Sequence, residues 1–183
     1  DVSIELESDV LFYIDVDVEI KKEIFDDILP SKAKPLIGVK HPGFAYSENK
    51  NGSLDNNELS TAYVNKLKYK DCYVAGGING GLSTVFLRMA KELCNNINID
   101  KSKNIIAEWH DESHLNRYML DHFDKFKILS PDYCYPENYY QNIPGEAKIL
   151  VLDKDHLNVR NSFSKNIIVV DLVGRFGNIL FQL

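Results

Sequence analysis

The sequence predicts an α/β fold, because it contains both short apolar runs and longer amphipathic segments. A continuous apolar run is typical of a strand buried on both faces, and one occurs at residues 10–14; residues 36–39, 126–129 and 147–152 are mostly apolar and also predict strands. Apolar residues at helical spacing indicate two helices, with stripes formed by Leu82, Phe86, Met89 and Leu93 and by Leu115, Tyr118, Met119 and His122. A chain of 183 residues with 44% hydrophobic content is of one-domain size and can bury a core.

The first apolar run ends in two acidic residues, Asp15 and Asp17, in the pattern Asp-x-Asp. Side chains alternate along a strand, so both carboxylates point the same way if the extended conformation persists. Two carboxylates at the carboxyl end of a buried strand form a typical hard-cation site. Such triplets also occur by chance in acidic proteins, where they are solvated strand ends.

Turn and loop signals follow each of the first two predicted strands. Residues 21–34 are charged and turn-prone, which predicts a surface connection. Pro42-Gly43 marks a tight turn, and a lone histidine before a turn, here His41, is usually a hydrogen-bonded structural residue. Residues 47–60 have hardly any apolar side chains and predict a mobile loop.

Four glycines fall between residues 76 and 81, directly before the first helical stripe. Glycine before a helix can indicate phosphate binding at the helix N-terminus, but the chain has neither the Walker lysine nor a G-x-G-x-x-G pattern here. We therefore expect these glycines to let the backbone approach a ligand closely.

Residues 109–114 bring together one indole, two carboxylates and two imidazoles, in the order Trp109, His110, Asp111, Glu112 and His114. Residues 104–108 before them are interpreted as a short strand, so the acidic pair should lie where strand gives way to helix, with Asp111 as the N-cap. A capping pair is most often structural. Trp109 beside it favours a sugar site, because an indole often contacts the apolar face of a sugar ring.

Composition excludes several classes of protein. The net charge of −6 and the pI near 5.4 argue against a general nucleic-acid binder. Three cysteines without a C-x-x-C pair indicate neither a disulfide framework nor a zinc knuckle. No apolar run approaches the ~20 residues needed to span a bilayer, and no signal peptide is present. Because the chain lacks an initiator Met, we expect it to be a fragment of a longer protein.

Four segments together resemble the family 6 glycosyltransferases, the group that contains the blood-group A and B transferases and the α-1,3-galactosyltransferases. They are Asp15-Val16-Asp17, His41-Pro42-Gly43-Phe44, residues 71–81 and residues 109–120 with Ser130-Pro131 after them, in matching order and spacing over residues 9–161. The resemblance implies a GT-A type fold, a mixed sheet flanked by helices, with part of its N-terminal nucleotide-binding half missing. A fragment lacking that half is expected to be inactive by itself.

The resemblance also implies a reaction. The enzyme would move N-acetylgalactosamine or galactose from a UDP-sugar, in α-1,3 linkage and with retained configuration, onto a galactoside or fucosylated galactoside. In the family the Asp15 and Asp17 positions hold manganese that bridges the donor diphosphate, and Glu112 would act on the sugar face opposite the phosphate. Glu112 would be either a nucleophile or an electrostatic support, and the sequence leaves both open. A bacterial member would be cytoplasmic or membrane-associated, a vertebrate-like one lumenal in the Golgi.

Further roles carry over by position in the motifs. Asp111 would bind donor hydroxyls, and Ala75, Gly76 and Gly77 would choose between the two donor sugars. Small residues there leave room for an acetamido group, so we expect N-acetylgalactosamine to be preferred. His41, Trp109 and His156 would contact the acceptor, and Lys154 and Arg160 would fold over the diphosphate. An acceptor-binding Asp expected shortly after Tyr133 falls on Pro136.

The sequence leaves two alternative functions and one additional domain open. His110 and His114 stand at i and i+4, as in a zinc hydrolase, and a non-catalytic glycan-binding module would need Trp109 and His41 but not the Asp-x-Asp triplet. Residues 162–183 contain an apolar run followed by the pattern G-x-x-G-N-x-x-F-Q. This segment resembles the start of a family 11 α-1,2-fucosyltransferase. The alternative is an extra strand that pairs with the first domain's sheet.

Overall fold

Two sheets and three α-helices make up the described part of the chain. The computed structural model describes residues 9–49, 51–68, 70–138, 143–153, 169–172 and 179–182. The strands are β1 (Val10–Ile14), β2 (Val18–Ile20), β3 (Leu36–Lys40), β4 (Val74–Leu82), β5 (Phe126–Leu129), β6 (Tyr135–Pro136), β7 (Ile149–Val151), β8 (Val169–Leu172) and β9 (Ile179–Gln182). The helices are α1 (Pro42–Ala45), α2 (Ser83–Ser102) and α3 (His110–Asp121).

The larger sheet has the strand order β5-β3-β4-β1-β8-β9. β3 and β5 are parallel, whereas the other neighbouring pairs are antiparallel. The smaller sheet, β2-β7-β6, is also mixed. Mixed sheets with helices packed against them confirm the predicted α/β class, and they are consistent with the GT-A type that the resemblance implies.

Two hydrophobic clusters cover the two faces of the larger sheet. On one face Met89 of α2 and Met119 of α3 pack with Leu36 and Val74. Alternation along β3 places Ile37 on the opposite face, where it packs in the second cluster with Phe12, Val39, Ile78 and Ile149. Of the helical stripe predicted from Leu115, Tyr118, Met119 and His122, the first three are buried in the first cluster, whereas His122 follows the end of α3 and is half-buried.

The glycine-rich segment is part of β4, the strand between β3 and β1, and does not form a loop before α2. A Cβ added at Gly80 would lie 2.5 Å from the carbonyl oxygen of Leu11, and one at Gly81 would lie 2.4 Å from that of Pro35. These two glycines therefore let neighbouring segments approach the strand. Gly76 and Gly77 have a different role, described with the cavity below.

Two local expectations are wrong. Residues 104–108 form no strand, because Asn104 has φ +57° and Ile105 N–H donates to the carbonyl of Asp100, so the chain turns back at the end of α2. Ile106, the apolar residue that suggested a buried strand, is 77% exposed. Asp111 is not the cap of α3, which begins at His110 after Trp109 and has no side-chain cap.

The polar segment of residues 47–60, which was predicted to be a mobile loop, contains no helix or strand among its described residues and is anchored at buried positions. Leu54, Asp55 and Ser60 are buried. The Asp55 carboxylate accepts hydrogen bonds from the backbone N–H groups of Asn57 and Glu108, at 2.8 and 2.9 Å. The segment is thus tied to the residues that lead into α3.

β8 pairs antiparallel with β1, and β9 pairs with β8. Among the described residues, the strand predicted near the C-terminus therefore extends the first sheet, as the alternative interpretation expected, and the fucosyltransferase-like domain stays a prediction. None of the helices in the described ranges combines the length and apolar character needed to cross a bilayer.

Candidate active site

An open cavity of about 260 Å³ lies where the C-terminal end of β1 and the first half of β4 meet the first turn of α3. It is lined by Tyr13, Asp15, Gly76, Gly77, Trp109, Asp111 and Glu112. Six of these seven residues were singled out from the sequence, and Tyr13 is the addition. The structure thus brings the Asp-x-Asp segment, the paired glycines and the acidic start of α3 to one place.

Glu112 is held by two hydrogen bonds, one to each carboxylate oxygen. The backbone N–H of Gly76 donates to Oε2 at 2.7 Å, and the Tyr73 hydroxyl donates to Oε1 at 2.8 Å. Burial raises the pKa of Glu112, whereas these two hydrogen bonds lower it, and the net shift is upward. The carboxylate is therefore fixed in orientation while it faces the cavity.

An interruption of β4 makes the Gly76 contact possible. The pairing of β3 with β4 shifts register between Gly38↔Asn79 and Lys40↔Val74, so β4 contains three extra residues there. Such bulges re-aim backbone and side-chain groups next to functional sites. A Cβ at Gly76 would lie 3.1 Å from Glu112 Cβ, so a side chain at this position would crowd the carboxyl side chain.

Asp15 enters the cavity from the end of β1. Its backbone N–H donates to Gly77 O at 2.9 Å, and its Oδ1 accepts from the Tyr13 hydroxyl at 2.8 Å. A Cβ at Gly77 would lie only 2.7 Å from Asp15 Oδ2. The Asp15 carboxylate can therefore occupy this position only because residue 77 has no side chain.

Asp17 lies in the bend between β1 and β2, so the extended conformation does not persist through the triplet. Its carbonyl accepts from Leu152 N–H at 2.8 Å, and it does not line the cavity. Its charge nevertheless acts in the same region. Burial raises the pKa of Tyr13, and the charges of Asp15, Asp111 and Asp17 raise it further. Burial and the charges of Glu112, Asp15 and Asp17 raise the pKa of Cys134 to about 12.

The electrostatics of the cavity suit a cation. Among the described residues, three carboxylates and no basic side chain line it. Burial raises the pKa values of Tyr13 and Glu112, and the charge of Asp111 raises both further. In the described residues, no three His, Cys, Asp or Glu side chains come together as a complete metal site. The acidic residues fit a metal ion that takes its remaining ligands from a substrate.

His41 caps α1 and lies next to the Glu112 site through Tyr73. Its Nδ1 accepts from Gly43 N–H at 3.1 Å, and its ring contacts the rings of Phe44 and Tyr73 at centroid distances of 4.9 and 5.7 Å. Burial lowers the pKa of His41 to about 4. The ring is therefore neutral at pH 7, and with Nδ1 as the acceptor its proton is on Nε2.

Other predicted positions fall outside the cavity. Ala75 is buried in the second hydrophobic cluster and does not line it. Pro136 lies in β6, and the neighbouring Glu137 accepts a hydrogen bond from Asp153 N–H at 2.9 Å. Lys154, His156 and Arg160 lie outside the described residues, so their roles stay predictions.

The two histidines of the zinc-hydrolase alternative are not a metal pair. His114 is 3% exposed and lies between Asp100 and Thr61, with Nε2 3.8 Å from Asp100 Oδ2 and Nδ1 3.4 Å from Thr61 Oγ1. His110 is exposed and has φ +52°. The described part of the chain contains no cluster of three metal-binding side chains that includes either of them.

Sequence reasoning missed Tyr73 and Asn116, which both contact Glu112. Tyr73 directly precedes the glycine-rich strand, and Asn116 lies one helical turn after Glu112. Their positions in the sequence therefore gave only a weak indication that their side chains lie near the site. The Asn116 side chain bonds backbone groups of Val74 and Glu112.

Comparisons with known proteins identify the family of the chain. A sequence model of the family described as Glycosyltransferase family 6 matches residues 2–161. Histo-blood group ABO system transferase 1 of Rattus norvegicus is 33% identical over 158 residues, which cover 85% of this chain and 43% of the rat protein. The O-antigen biosynthesis glycosyltransferase WbnI of Escherichia coli is 36% identical over 146 residues, covering 79% of this chain and 58% of that protein.

A third relative is more distant. Globoside alpha-1,3-N-acetylgalactosaminyltransferase 1 of Homo sapiens is 29% identical over 152 residues, covering 81% of this chain and 42% of the human protein. The chain therefore spans about half the length of the curated relatives that it matches.

Proposed function

Because the chain belongs to glycosyltransferase family 6, we propose that it carries the sugar-transferring centre of a retaining enzyme. The donor would be UDP-N-acetylgalactosamine or UDP-galactose, and the product an α-1,3 linkage to a galactoside. The name of the human relative supports N-acetylgalactosamine and the α-1,3 linkage. The observation that carries the proposal is Glu112, whose carboxylate is fixed by two donors at the wall of an open acidic cavity.

Glu112 stabilises positive charge in this proposal. As the bond between the anomeric carbon and UDP breaks, positive character develops on the sugar ring, and a fixed carboxylate nearby favours that transition state over the ground state. Retention follows if Glu112 replaces UDP on the anomeric carbon to form a glycosyl-enzyme and the acceptor then displaces Glu112. It also follows if the acceptor attacks from the face that UDP leaves, while Glu112 stabilises the positive charge on the sugar ring.

Asp15 and Asp17 would hold a manganese ion, which as a Lewis acid offsets the charge on the departing diphosphate. The support is the convergent negative charge of the two carboxylates at Tyr13 and Cys134. Gly77 leaves room for the Asp15 carboxylate, and Tyr13 orients it by its hydrogen bond to Oδ1.

The remaining cavity residues bind sugars. Asp111 accepts hydrogen bonds from donor hydroxyls, and the half-exposed indole of Trp109 contacts an apolar sugar face. The preference for N-acetylgalactosamine as the donor sugar rests on the family resemblance at Ala75, Gly76 and Gly77, because Glu112 and Asp15 occupy the room beside the two glycines. His41, with its proton on Nε2, donates to an acceptor hydroxyl. Lys154, His156 and Arg160 keep the proposed roles that the family resemblance gives them.

The test is a transfer assay on the intact protein with both UDP-sugars, a galactoside acceptor and manganese. We expect an α-1,3 product with retained configuration, identified by NMR of the new linkage, and a higher rate with UDP-N-acetylgalactosamine. Asp15→Asn should weaken UDP binding and the manganese requirement together. The matched control is Asp121→Asn at the opposite end of α3, which should leave both unchanged.

Binding of a galactoside without turnover of either donor would contradict the proposal and favour a glycan-binding module. Equal rates with the two donors would overturn only the donor preference. Unchanged manganese dependence in Asp15→Asn would remove the metal role of the triplet.

A further inference from the structure

Asn116 is a polar side chain that is completely enclosed on α3, with 0% of its surface exposed. Its Oδ1 accepts from Val74 N–H at 2.8 Å. Its Nδ2 donates to the Val74 carbonyl at 2.8 Å and to the Glu112 carbonyl at 2.9 Å. One amide therefore joins the backbone of β4 to the backbone of the residue at the centre of the proposed site.

These contacts lie where β4 is irregular. Val74 pairs with Lys40 of β3 at one end of the bulge, but in the described residues β1 pairs with β4 only from Ile78 to Leu82, so residues 74–76 have no strand partner on the β1 side. Buried backbone N–H and C=O groups without partners are costly. Asn116 supplies an acceptor and a donor to Val74, and Glu112 supplies an acceptor to Gly76 N–H. Two side chains of α3, one turn apart, thus replace a strand neighbour.

We propose that Asn116 is the positioning residue that fixes Glu112 against the glycine backbone of β4, and so sets where its carboxylate lies in the cavity. Asn116 acts only through Glu112, because it does not line the cavity. The catalytic consequence rests on the proposed transfer reaction, whereas the positioning itself does not.

The chemistry of the site requires an asparagine. The position needs one acceptor and two donors in a plane, which is what a carboxamide provides. An aspartate of the same shape would keep the acceptor toward Val74 N–H, but its second oxygen would face the carbonyls of Val74 and Glu112. A serine would be too short to reach both segments at once.

Loosening this link should change the environment of the Glu112 carboxyl. The hydrogen bonds from Gly76 N–H and the Tyr73 hydroxyl both lower its pKa, against the effect of burial. The other titratable groups that face this carboxyl are Asp111, Asp15, Tyr73 and Cys134. If Glu112 moves away from Gly76, the hydrogen bond is lost and its pKa should rise.

The experiment compares Asn116→Asp and Asn116→Ser with Met119→Ala in the intact protein. Met119 is equally buried on α3 but packs in the hydrophobic cluster, so it is a matched control for loss of stability. Each variant is followed by its melting temperature, by a ¹³C NMR titration of the Glu112 carboxyl, and by kcat and donor KM for transfer.

In both Asn116 variants we expect the Glu112 pKa to rise by about one unit. We expect kcat to fall ~10- to 10²-fold, because a slightly misplaced catalytic group loses about that much. Donor KM should change less than about twofold. Met119→Ala should lower the melting temperature without moving the Glu112 pKa.

Asn116 variants that behave like Met119→Ala, with lower melting temperature and an unmoved Glu112 pKa, would overturn the proposal. So would a proportional change in KM and kcat with no pKa shift. If the unmutated protein transfers no sugar, the proposed function fails, but the Glu112 titration still decides whether Asn116 positions this carboxyl. If Asn116→Asp does not fold, Asn116→Ser provides the same readouts.

Discussion

Two polar clusters on α3, centred on residues only two positions apart, differ in how their charge is satisfied. His114 and Asp100 are enclosed, at 3% and 1% exposure, and Asp100 also accepts from Ser60 Oγ at 2.6 Å and Thr61 N–H at 2.8 Å. Glu112 instead faces a cavity that, in the part of the chain that the structure describes, is lined by three carboxylates and no basic side chain. One cluster is closed and internally paired, and the other is open and carries excess negative charge.

The difference separates a structural cluster from a functional one. A buried charge that has donors around it holds segments together, and here it ties residues 60–61 to α2 and α3. Negative charge that faces a solvent-filled cavity does little for stability, but it can bind a cation or a sugar that develops positive charge. The histidine pair looked chemical in the sequence because sequence spacing does not report enclosure.

The largest effect should come from removing the charge of the open cluster. In the intact protein, Glu112→Gln should lower sugar transfer at least ~10²-fold, while UDP affinity measured by calorimetry stays within about twofold. Gln keeps an acceptor for Gly76 N–H, so the free energy of unfolding should change by less than about 1 kcal/mol. Activity within a few-fold of the unmutated protein would remove the role assigned to Glu112.

The closed cluster should show the opposite pattern. Asp100→Ala leaves Ser60 and Thr61 without their acceptor and His114 without its partner, so the free energy of unfolding should fall by about 3 kcal/mol. Urea denaturation followed by circular dichroism measures it. The control is Asp121→Ala, because Asp121 pairs with Lys68 and Arg117 near the surface and should contribute less than about 1 kcal/mol. Equal losses would contradict the contrast between enclosed and exposed pairs.

The sequence predicted the cavity well because its residues lie at the ends of recognisable elements. Asp15 follows an apolar strand, and Trp109, Asp111 and Glu112 open an amphipathic helix, so short motifs identified them without knowledge of the register. The site contacts that were missed depend on register. Tyr73, just before β4, donates to Glu112 Oε1, and Asn116 of α3 bonds the backbone of Val74, so both contacts depend on how β4 and α3 are aligned, which no periodic pattern in the sequence reports.

The wrong elements have local causes. Residues 104–108 contain the apolar pair Ile105 and Ile106, but they follow a 20-residue helix whose last carbonyls take the N–H groups of Asn104 and Ile105, so no extended segment forms. Asp111 has the residue type of a cap, yet His110 adopts a left-handed conformation and the helix begins two residues earlier than expected. Backbone conformation decided both cases, and neither could be read from residue type.

The stability of the His41 site should depend on pH. Burial holds the pKa of folded His41 near 4, against about 6.5 in the unfolded chain. Protonation therefore favours the unfolded state, so this contribution is complete above pH 6.5 and is lost as the pH falls toward 4, by up to about 3 kcal/mol. His41→Asn keeps an acceptor for Gly43 N–H and cannot titrate. Unfolding curves should converge as the pH falls over this range, and parallel curves would show that His41 titrates normally.

The smallest effect on stability should come from the aromatic residue of the open cluster. Trp109 is 51% exposed, and its backbone N–H, which does not depend on the side chain, donates to Ser113 Oγ at 2.9 Å. Trp109→Ala should therefore change the free energy of unfolding by less than about 1 kcal/mol, since surface substitutions rarely do more. The acceptor KM should rise about tenfold, because an indole stacked on a sugar contributes roughly 1–1.5 kcal/mol. Trp109→Phe, which keeps a ring, is the matched control and should recover part of the affinity. A destabilised protein with unchanged acceptor KM would place Trp109 with the closed cluster, as a packing residue.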